Sequence, residues 1–537
     1  MDLNPGNPVQ FETPNVLQGI LEQTRIGPDR LAVKDQHRSL TYGELRDEVA
    51  KLASGLAEYG VTEGDRIALF LPNSIEFVVA ALASLWIGAI FVPLAVTDPE
   101  ARLATMLADC SPTIVLSANN ELSEPSGAAS IEEFPFVAMS TLTNIDSASV
   151  EPVDSSPRRA YSMYTSGTTG TPKGVLIGTV AFGAAVEAIT RAVGLDEKTR
   201  TLCVSPFYFD GSYANLFPTL FAGGSVIIHP FSPLFSRTFF DTVINERVTY
   251  TGFTPSFLRL LLANKQMSKL ADSTLDVIGL GGEVCSIADI RTLWSFAPKI
   301  RVFNRYGPTE TTIVVTDQLV TPELIADGTM PIGRPHPFVT FNLVDEDGDL
   351  IEGSDRVGEL YIGGVQVMDG YWGAPELTEK VLRSDIVPEE TLYRTGDLVY
   401  RDANGNYVYV DRADRVINRG GLRISLIELG EAMRRLSAVS AAACVSFDDS
   451  GDLGIVAFVV TDGTLSTLDL RKSAEELLPD SMLPNRIEIV EALPLNKSNK
   501  LDERRLLSEA GLIPLRPGTA PGRNEVDPIT RTACGPS

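Results

Sequence analysis

The chain has 537 residues, of which 44% are hydrophobic and 21% charged, and its 45 basic and 70 acidic residues give a net charge of −25. This composition is globular and the length exceeds one ordinary core, so we expect at least two domains. The acidic field excludes nucleic acid and anionic membranes as expected partners, and an anionic ligand would need locally concentrated donors.

The sequence predicts neither secretion, nor disulfides, nor a zinc site. The amino terminus lacks a basic region followed by an apolar run, so no signal peptide is expected. The histidines lie apart from cysteines and acidic clusters and are expected to be ordinary polar or core residues. The cysteines have no paired spacing, which favours buried thiols in a reducing cytoplasm. These eight residues are His37, His229, His336, Cys110, Cys203, Cys285, Cys444 and Cys534.

Strands and helices alternate along the first part of the chain. Thr41 and Glu44 form a capping-box pattern, apolar residues then recur at helical spacing, and Gly60 ends the predicted helix. The runs RIALFL and TIVLS predict strands. The uncharged stretch 78–96 is broken by Gly88 and Pro93, so we interpret it as a buried helix and a strand rather than a membrane span. The alternation indicates an α/β fold with parallel pairing.

The stretch YTSGTTGTPKGV, residues 164–175, combines glycines, hydroxylated side chains and Lys173 without any acidic residue. Glycines expose successive backbone N–H groups, and the hydroxyls and lysine add further donors, so the stretch is typical of a polyphosphate-binding loop. A flexible surface loop is the alternative by composition. A Walker A loop is excluded because its lysine directly follows glycine, whereas Lys173 follows Pro172.

The α/β pattern continues through the runs TLCVSP, SVIIHP, DVIGLGGE and RVFNRYG. Ligands gather beyond the carboxyl ends of strands in open parallel sheets. From about residue 340, alternating segments separated by Asp-Gly and Asn-Gly turns predict hairpins. We expect a core domain over residues 1–413, a smaller α+β domain over 414–515 and a disordered tail over 516–537.

Four further motifs follow the glycine-rich stretch: NRYGPTETT (304–312), YRTGDL (393–398), DRADRVINRGGLRIS (411–425) and PLNKSNKLD (494–502). In order and separation, the five motifs resemble those of the adenylate-forming superfamily. That superfamily includes acyl-CoA synthetases, luciferases and the amino-acid adenylation domains of nonribosomal peptide synthesis. The resemblance runs from residue 40 to Lys500. It implies a large domain of α/β subdomains with a β-barrel-like part, followed by a small mobile α+β domain.

The resemblance implies that the protein joins a carboxylate to AMP and releases pyrophosphate. Positioning and electrostatics would supply most of that chemistry. ATP and Mg²⁺ are the implied cofactors, with Glu310 helping to hold Mg²⁺, Tyr306 near the adenine and Asp397 at the ribose hydroxyls. The implied ATP- and AMP-binding residues are Thr165, Ser166, Gly167, Thr168, Thr169, Gly170, Lys173, Gly281, Gly282, Glu283, Asn304, Tyr306, Gly307, Thr309, Asp397 and Arg412.

Catalysis is assigned by the same resemblance to Thr165, Glu310 and Lys500. The Lys500 ammonium would bridge the substrate carboxylate and the phosphate oxygens as charge shifts between them. Asn499 stands where the family has glycine, and asparagine tolerates the left-handed backbone of such a turn. Asp414 falls on the family's hinge, and Gly421 matches the glycine beside which a pantetheine arm passes.

The segment FYFDGSYANLFPTLFAGG (207–224) resembles the region with which amino-acid adenylation domains hold the substrate ammonium. Asp210 matches the ammonium-binding aspartate, and an empty site would leave that buried charge unpaired, so we expect an amino acid as substrate. A turn or cap role for Asp210 is the alternative. The implied substrate-binding residues are Asp210, Gly211, Ala214, Gly252, Ile278, Leu280, Arg305, Ile313, Val314 and Lys500.

Arg305 is the one charged residue among the implied side-chain pocket. An arginine directed into that pocket would need an anion, which an aspartate-like substrate could supply, unless it forms an internal salt bridge or faces solvent. Gly211 and Gly252 would leave extra space, which also allows a β-amino acid with a displaced ammonium.

A carrier module is expected to contain a serine after paired glycines, and the sequence downstream of these motifs has no such pattern. We therefore expect a freestanding enzyme that loads the phosphopantetheine thiol of a separate carrier protein, with CoA as the alternative acceptor. The competing functions are an acyl-CoA synthetase for a non-amino acid, which Asp210 disfavours, and a non-catalytic nucleotide-binding protein. Lys173, Glu310, Asp397 and Lys500 together disfavour the non-catalytic function.

Overall fold

The computed structural model describes residues 15–118, 131, 134–144, 149–153, 158–165, 172–229, 238–345, 347–412, 416–419, 422–436, 438–449, 452–494 and 501–514. Helices and strands are numbered in chain order. The helices are α1 (Val16–Ile26), α2 (Tyr42–Tyr59), α3 (Ile75–Trp86), α4 (Glu100–Cys110), α5 (Met139–Thr143), α6 (Thr179–Val193), α7 (Tyr213–Phe221), α8 (Phe239–Asn245), α9 (Pro255–Leu262), α10 (Ile287–Phe296), α11 (Pro375–Val381), α12 (Leu426–Arg434), α13 (Thr467–Glu475) and α14 (Glu503–Glu509).

The strands of the first half are β1 (Leu31–Lys34), β2 (Ser39–Thr41), β3 (Arg66–Phe70), β4 (Ile90–Pro93), β5 (Ile114–Ser117), β6 (Phe136–Ala138), β7 (Arg159–Thr165), β8 (Lys173–Gly178), β9 (Arg200–Cys203), β10 (Ser225–Ile228), β11 (Tyr250–Phe253), β12 (Val277–Gly281) and β13 (Arg301–Tyr306). Those that follow are β14 (Thr316–Val320), β15 (Val339–Val344), β16 (Gly358–Gly364), β17 (Gly370–Tyr371), β18 (Leu382–Arg383), β19 (Leu392–Arg401), β20 (Tyr407–Arg412), β21 (Val416–Arg419), β22 (Leu422–Ser425), β23 (Val439–Asp449), β24 (Asp452–Thr461), β25 (Arg486–Ile489) and β26 (Ile513–Pro514).

Two large sheets carry most of the strands up to β17. One has the order β14-β13-β12-β11-β9-β10-β1-β2, and the other has the order β17-β8-β7-β4-β3-β5-β6. The neighbours from β13 through β1 in the first sheet, and from β7 through β6 in the second, are parallel. The first sheet adds one antiparallel strand at each edge, and the second adds the antiparallel strands β8 and β17 at one edge. The parallel α/β fold predicted from the alternation is thus confirmed.

The two sheets share one hydrophobic layer. Apolar side chains from one face of each sheet, including Phe91 and Phe303, pack in a single cluster with residues of helices α1, α2, α3, α6 and α7. The opposite face of the eight-stranded sheet packs in a second cluster with α8, α9 and α10, and the opposite face of the seven-stranded sheet packs with α4. Alternate residues of a strand face opposite sides of the sheet, so neighbouring residues of one strand pack in different clusters.

The local signals of the first half are borne out. The Thr41 side chain caps α2 in a capping box with Glu44, and Gly60 ends that helix in a left-handed conformation with φ of 104°. The stretch 78–96 divides at Gly88, whose φ is 73°, between helix α3 and strand β4. In the described part of the chain, no helix combines the length and apolarity that membrane crossing requires.

A five-stranded antiparallel sheet contains strands β15, β16, β18, β19 and β20. Strands β15 and β16 pair antiparallel, and β19 pairs antiparallel with β20 around Gly405, whose φ is 81°. This arrangement confirms the predicted hairpins. Beyond residue 416, strands β23 to β26 form a separate four-stranded sheet with their own hydrophobic clusters. The four described cysteines are unpaired and buried, as predicted: Cys110, Cys203, Cys285 and Cys444.

Candidate active site

Three acidic residues follow the carboxyl ends of parallel strands in the eight-stranded sheet. Asp210 comes after β9, Glu283 after β12 and Glu310 after β13. The carboxyl ends of parallel strands lie at one edge of a sheet, where ligands bind in open α/β folds. This edge is the candidate active site.

Asp210 is partly buried at the start of the short helical turn that leads into α7, and its Oδ2 atom is inaccessible to solvent. Burial raises its pKa to about 7; a hydrogen bond from the Thr309 side chain lowers the pKa, and the charge of Glu310 raises it. Its Oδ2 atom has no hydrogen-bond partner among the described residues. A buried carboxylate in this state is stabilised by a cation.

Two tyrosine hydroxyls accompany Asp210. The pKa values of Tyr161 and Tyr213 are raised, first by burial and then by the Asp210 charge, which establishes that the three groups are near one another. The two rings pack edge to face with centroids 5.4 Å apart. Within the described ranges, both hydroxyls lack hydrogen-bond partners. The Asp210 site therefore offers an acceptor beside two potential donors, and sequence inspection identified neither tyrosine.

Tyr371 joins the phosphate-loop strands to Glu310. Its hydroxyl donates a 2.8 Å hydrogen bond to Glu310 Oε1, and the Nζ atom of Lys173 lies 5.1 Å from its ring centroid. Thr165 pairs with Lys173 across the antiparallel strands β7 and β8. The structure thus brings together Thr165, Lys173 and Glu310, the described members of the predicted phosphate and metal site.

The donor set fits Mg²⁺ and a nucleotide polyphosphate. Mg²⁺ is usually held by one or two carboxylates together with substrate phosphates, and Glu310 is a carboxylate on the same side of the molecule as the Lys173 ammonium. No cluster of three or more His, Cys, Asp or Glu side chains suited to a metal occurs in the described ranges. A bound Mg²⁺ would neutralise phosphate charge, and Glu310 would orient it.

We predict that Tyr371→Phe raises the KM for MgATP roughly tenfold, because a hydrogen bond to a charged group contributes about 1.5–3 kcal/mol. The phenylalanine keeps the ring beneath Lys173 and removes only the hydroxyl that orients Glu310. Steady-state kinetics with varied MgATP would measure the effect. Tyr407→Phe is the matched control, since that hydroxyl donates to Phe341 O at 3.4 Å and interacts with Arg401, away from Glu310 and Lys173. Equal KM values in wild type and Tyr371→Phe would contradict this role.

The predicted ribose and adenine residues meet directly. The Tyr306 hydroxyl donates a 2.5 Å hydrogen bond to Asp397 Oδ2, and burial followed by the Asp397 charge raises the pKa of Tyr306 well above its usual range. Arg412 stands opposite Asp397 in the β19–β20 register. An aromatic ring beside a buried carboxylate suits a nucleoside, because a carboxylate can accept from both ribose hydroxyls.

The other described nucleotide candidates have structural partners. Asn304 Nδ2 donates to Pro331 O at 2.8 Å, and Glu283 accepts from both the backbone and the hydroxyl of Ser256. A methyl group at Gly307 would lie 2.4 Å from Val314 Cα, so the loop after β13 requires glycine there. Gly281 ends β12, and Gly282 follows it with φ of 81°.

Several predicted site residues lie outside the described residues. They are Ser166, Gly167, Thr168, Thr169, Gly170, Asp414, Gly421 and Lys500. Their phosphate-binding, hinge, pantetheine and catalytic assignments stay predictions from the sequence.

Arg305 is paired inside the protein. Its Nε donates to Asp317 Oδ1 at 2.6 Å, and its Nη1 donates to the Tyr250 hydroxyl at 2.6 Å. The Tyr250 hydroxyl donates onward to Ala214 O. The Arg305 and Asp317 side chains are 4% and 0% exposed, so this is a buried ion pair. The anion that Arg305 requires is therefore Asp317, which is the internal salt bridge that the sequence left open.

The pKa values follow from this pairing. Burial lowers the pKa of Arg305, but Tyr250 and Asp317 outweigh it and raise the pKa above its ordinary value. Burial raises the pKa of Asp317, but Arg305 and His336 outweigh that and lower it. The His336 Nε2 atom lies 2.9 Å from Asp317 Oδ2. Both charges are thus stabilised in a site that excludes water.

The prediction that Ile278 and Leu280 line the same pocket as Arg305 is wrong, because the neighbouring residues of β12 face Arg305 instead. Both pack in the hydrophobic cluster on the other face of the sheet. Arg305 lies instead over Gly279, where an added methyl group would stand 2.5 Å from Nη1. Successive residues of a strand face opposite sides, so Gly279 and Gly281 share the Arg305 face.

The remaining predicted pocket residues differ in the free space around them. Ala214, Ile313 and Val314 are buried in the layer shared by the two sheets. A methyl group at Gly211 would meet nothing within 4 Å, whereas one at Gly252 would lie 2.4 Å from Asn215 Oδ1. Gly211 therefore leaves the space that was predicted, but the space at Gly252 is already filled by its neighbours.

Gln366 holds the turn that carries Ile313. Thr312 and Ile313 have φ values of 62° and 69°, which residues other than glycine rarely adopt. The Gln366 side-chain amide donates to Val314 O at 2.8 Å and to Thr312 O at 3.2 Å, and its Oε1 lies 3.2 Å from His336 Nδ1. The contacts connect Arg305 to the loop of Glu310 through Asp317, His336 and Gln366. Sequence inspection found none of these three partners.

The fold and this site define an adenylate-forming enzyme. The chain belongs to the family of AMP-binding enzymes: the family model so described matches residues 21–372, and the model of the AMP-binding enzyme C-terminal domain matches residues 428–500. The resemblance stated from the five motifs is therefore confirmed.

The curated relatives are large synthases. The chain is 33% identical over 491 residues to tyrocidine synthase 3 of Brevibacillus parabrevis, covering 90% of this chain and 8% of that protein. It is 30% identical to gramicidin S synthase 2 of Brevibacillus brevis, covering 92% of this chain and 11% of that protein. The chain thus spans a small fraction of the length of the curated relatives it matches.

Solved structures share the fold at lower identity. An artificially fused adenylation–PCP di-domain, NpsA-ThdA of Klebsiella oxytoca, aligns with a TM-score of 0.79 at 24% identity over 94% of this chain and 97% of that chain. A double mutant of o-succinylbenzoate CoA synthetase of Bacillus subtilis aligns with a TM-score of 0.81 at 23% identity over 92% and 98% of the two chains. Both likenesses establish the fold alone.

Proposed function

We propose that the protein activates an amino acid as its aminoacyl-AMP and then transfers the aminoacyl group to a pantetheine thiol. In the first step, a substrate carboxylate oxygen attacks the α-phosphorus of ATP, and pyrophosphate leaves. In the second step, the thiol displaces AMP. MgATP is the cosubstrate, and Lys173, Glu310, Tyr306 and Asp397 are its proposed ligands. The proposed role of the protein in both steps is positioning and charge neutralisation.

The observation that carries the amino-acid assignment is the Asp210 carboxyl. Its Oδ2 atom is buried and has no partner in the described part of the chain, and the carboxyl lies near the charge of Glu310. A substrate ammonium would supply the missing cation. A plain carboxylic acid would leave the carboxyl buried without compensation, so an acyl-CoA synthetase of non-amino acids is the weaker candidate.

The thiol acceptor is proposed from the kinship with peptide synthases. We propose the phosphopantetheine of a carrier protein, loaded in trans, as the acceptor, with CoA as the alternative. The division at residue 413, the hinge at Asp414 and the pantetheine contact at Gly421 belong to this proposal, as does a cytoplasmic location. The two matched family models flank that division.

The geometry argues against an acidic side chain on the substrate. Asp317 already balances the Arg305 charge, and a substrate carboxylate would bring a second anion to one guanidinium. A β-amino acid fits only through the open space at Gly211, since the space at Gly252 is filled. We therefore propose an amino acid without a side-chain carboxylate.

ATP–pyrophosphate exchange over matched pairs tests the proposal. Each pair consists of an α- or β-amino acid and the same acid without its amino group. We expect exchange with at least one amino acid at a rate about 100-fold above its deaminated partner, because a site built for a polar group discriminates strongly against its absence. Exchange supported only by deaminated acids would refute the ammonium assignment, and exchange with no acid would refute the activation step.

A further inference from the structure

In addition to Asp210, two residues of the candidate pocket each have a polar atom without a hydrogen-bond partner in the described part of the chain. Asn215 Oδ1 and Arg305 Nη2 make no hydrogen bond within the described residues. The residues are only 1% and 5% exposed. An unsatisfied buried polar atom is destabilising, so two of them on neighbouring residues need an explanation.

The chemistry of each atom is fixed by its neighbours. Asn215 Nδ2 donates to Gly252 O at 2.9 Å, and because a carbonyl only accepts, the other amide atom must be the oxygen. Arg305 has engaged Nε with Asp317 and Nη1 with Tyr250. The two atoms that remain are therefore one acceptor, Asn215 Oδ1, and one donor, Arg305 Nη2.

The Asn215 amide and the Arg305 guanidinium both adjoin Gly252. A methyl group built at Gly252 would lie 2.4 Å from Asn215 Oδ1 and 3.2 Å from Arg305 Nη1. Asn215 is in the first turn of α7, which directly follows the Asp210 turn, and that turn also contacts strand β11. A ligand held at Asp210 by its ammonium would therefore direct its side chain toward this pair.

The charge balance decides which side chain fits. Arg305 is neutralised by Asp317, and His336 supplies a second partner to that carboxylate. A carboxylate ligand would add an uncompensated anion and could not donate to Asn215 Oδ1 when ionised. A hydrocarbon would leave both atoms unpaired. Only an uncharged group that donates and accepts satisfies the pair.

Resting on the proposed function, we propose that the amino acid carries an uncharged side chain of the carboxamide or hydroxyl class. That side chain donates to Asn215 Oδ1 and accepts from Arg305 Nη2. Asn215 and Arg305 are then specificity-determining residues, and Gly252 and Gly279 provide the room for them.

Exchange rates over matched trios test this proposal with the full chain and MgATP. One trio is asparagine, aspartate and leucine, and the other is glutamine, glutamate and methionine. Threonine and valine form a further pair for the hydroxyl group. Each set is tested both as α-amino acids and as β-amino acids. We expect an amide or hydroxyl member to exceed its acidic and hydrocarbon counterparts by about 100-fold in kcat/KM. Asn215→Leu should reduce that preference about tenfold or more.

A matched variant separates specificity from packing. Thr219→Val lies on the same helix, removes a buried hydroxyl bonded to Thr201 and Asn215 O, and should leave the preference unchanged. A wild-type preference for the hydrocarbon or acidic member in every set overturns this inference while amino-acid activation stands. Exchange with no amino acid would instead overturn the proposed function itself.

Discussion

Asp210→Asn is expected to lower kcat/KM for the amino acid by at least about 100-fold, because removal of one partner of a buried charge pair costs about 3–5 kcal/mol. The asparagine preserves the shape and one acceptor oxygen but cannot neutralise a substrate ammonium. Nucleotide binding should persist, since the Tyr306–Asp397 pair is built from other strands. Pyrophosphate exchange measures the first effect, and equilibrium binding of ATP measures the second.

Asp289→Asn is the appropriate control for this change. Burial also raises the pKa of Asp289, which lies in helix α10, and its carboxylate pairs with Arg259 of helix α9 and not with the proposed substrate. Asp289→Asn should leave exchange near the wild-type level. An Asp210→Asn enzyme that retains amino-acid exchange would sink the ammonium assignment.

The pH dependence provides an independent readout of Asp210. The pKa of about 7 is raised above the ordinary aspartate value, so the carboxylate form that binds an ammonium accumulates as pH rises through 7. Wild-type kcat/KM should increase across that range, and this step should be missing from Asp210→Asn. Because the folded protein binds this proton more tightly than the unfolded chain, wild-type stability relative to Asp210→Asn should fall as pH rises from about 4 to above 7.

Asp317→Ala is expected to lower the free energy of unfolding by about 3–5 kcal/mol, because it leaves the Arg305 guanidinium buried without its anion. Strand pairing places the two residues directly opposite each other in β13 and β14, so relaxation cannot bring Arg305 to water without disturbing both strands. Urea denaturation measures the change. The change should also reduce activity, since His336 and Gln366 support the turn that carries Ile313.

A second substitution distinguishes charge from volume. Arg305→Met in the Asp317→Ala background removes the unpaired charge and should recover part of the lost stability. Asp276→Ala is the control, because its partner Arg301 is on the same strand as Arg305 but exposed, and exposed pairs contribute about 0–1 kcal/mol. Equal losses for Asp276→Ala and Asp317→Ala would contradict the buried pair.

Much of the architecture followed from local patterns. The capping box at Thr41, the left-handed Gly60 and the hairpin around Gly405 each depend on residues close in sequence. The alternation of strands and helices was enough to indicate parallel pairing, although the paired strands are distant in sequence. The order of the five motifs then identified the family. Asp210 and Glu310 both follow strands of one sheet, so their position at its edge was also predictable.

The pocket was less predictable because strand parity and pairing register decide it. The prediction for β12 was off by one residue: it assigned Ile278 and Leu280 to the Arg305 face of the sheet and omitted Gly279, which lies on that face. Asp317 could have been found by pairing TDQLV against RVFNRY, since that register places it opposite Arg305. Gln366 and Tyr371 come from much later in the chain, and no local pattern links them to residues 310–314.

The side-chain pocket has a practical consequence for recombination. One continuous stretch of the sequence, from the end of β9 through β14, contains Asp210, Asn215, Gly252, Arg305 and Asp317. A chimera that exchanges this stretch would transfer the proposed selectivity residues together to another adenylating enzyme. The chimera would be active only if the recipient enzyme has a glutamine equivalent to Gln366, because that residue lies outside the exchanged stretch and holds the turn at Thr312 and Val314.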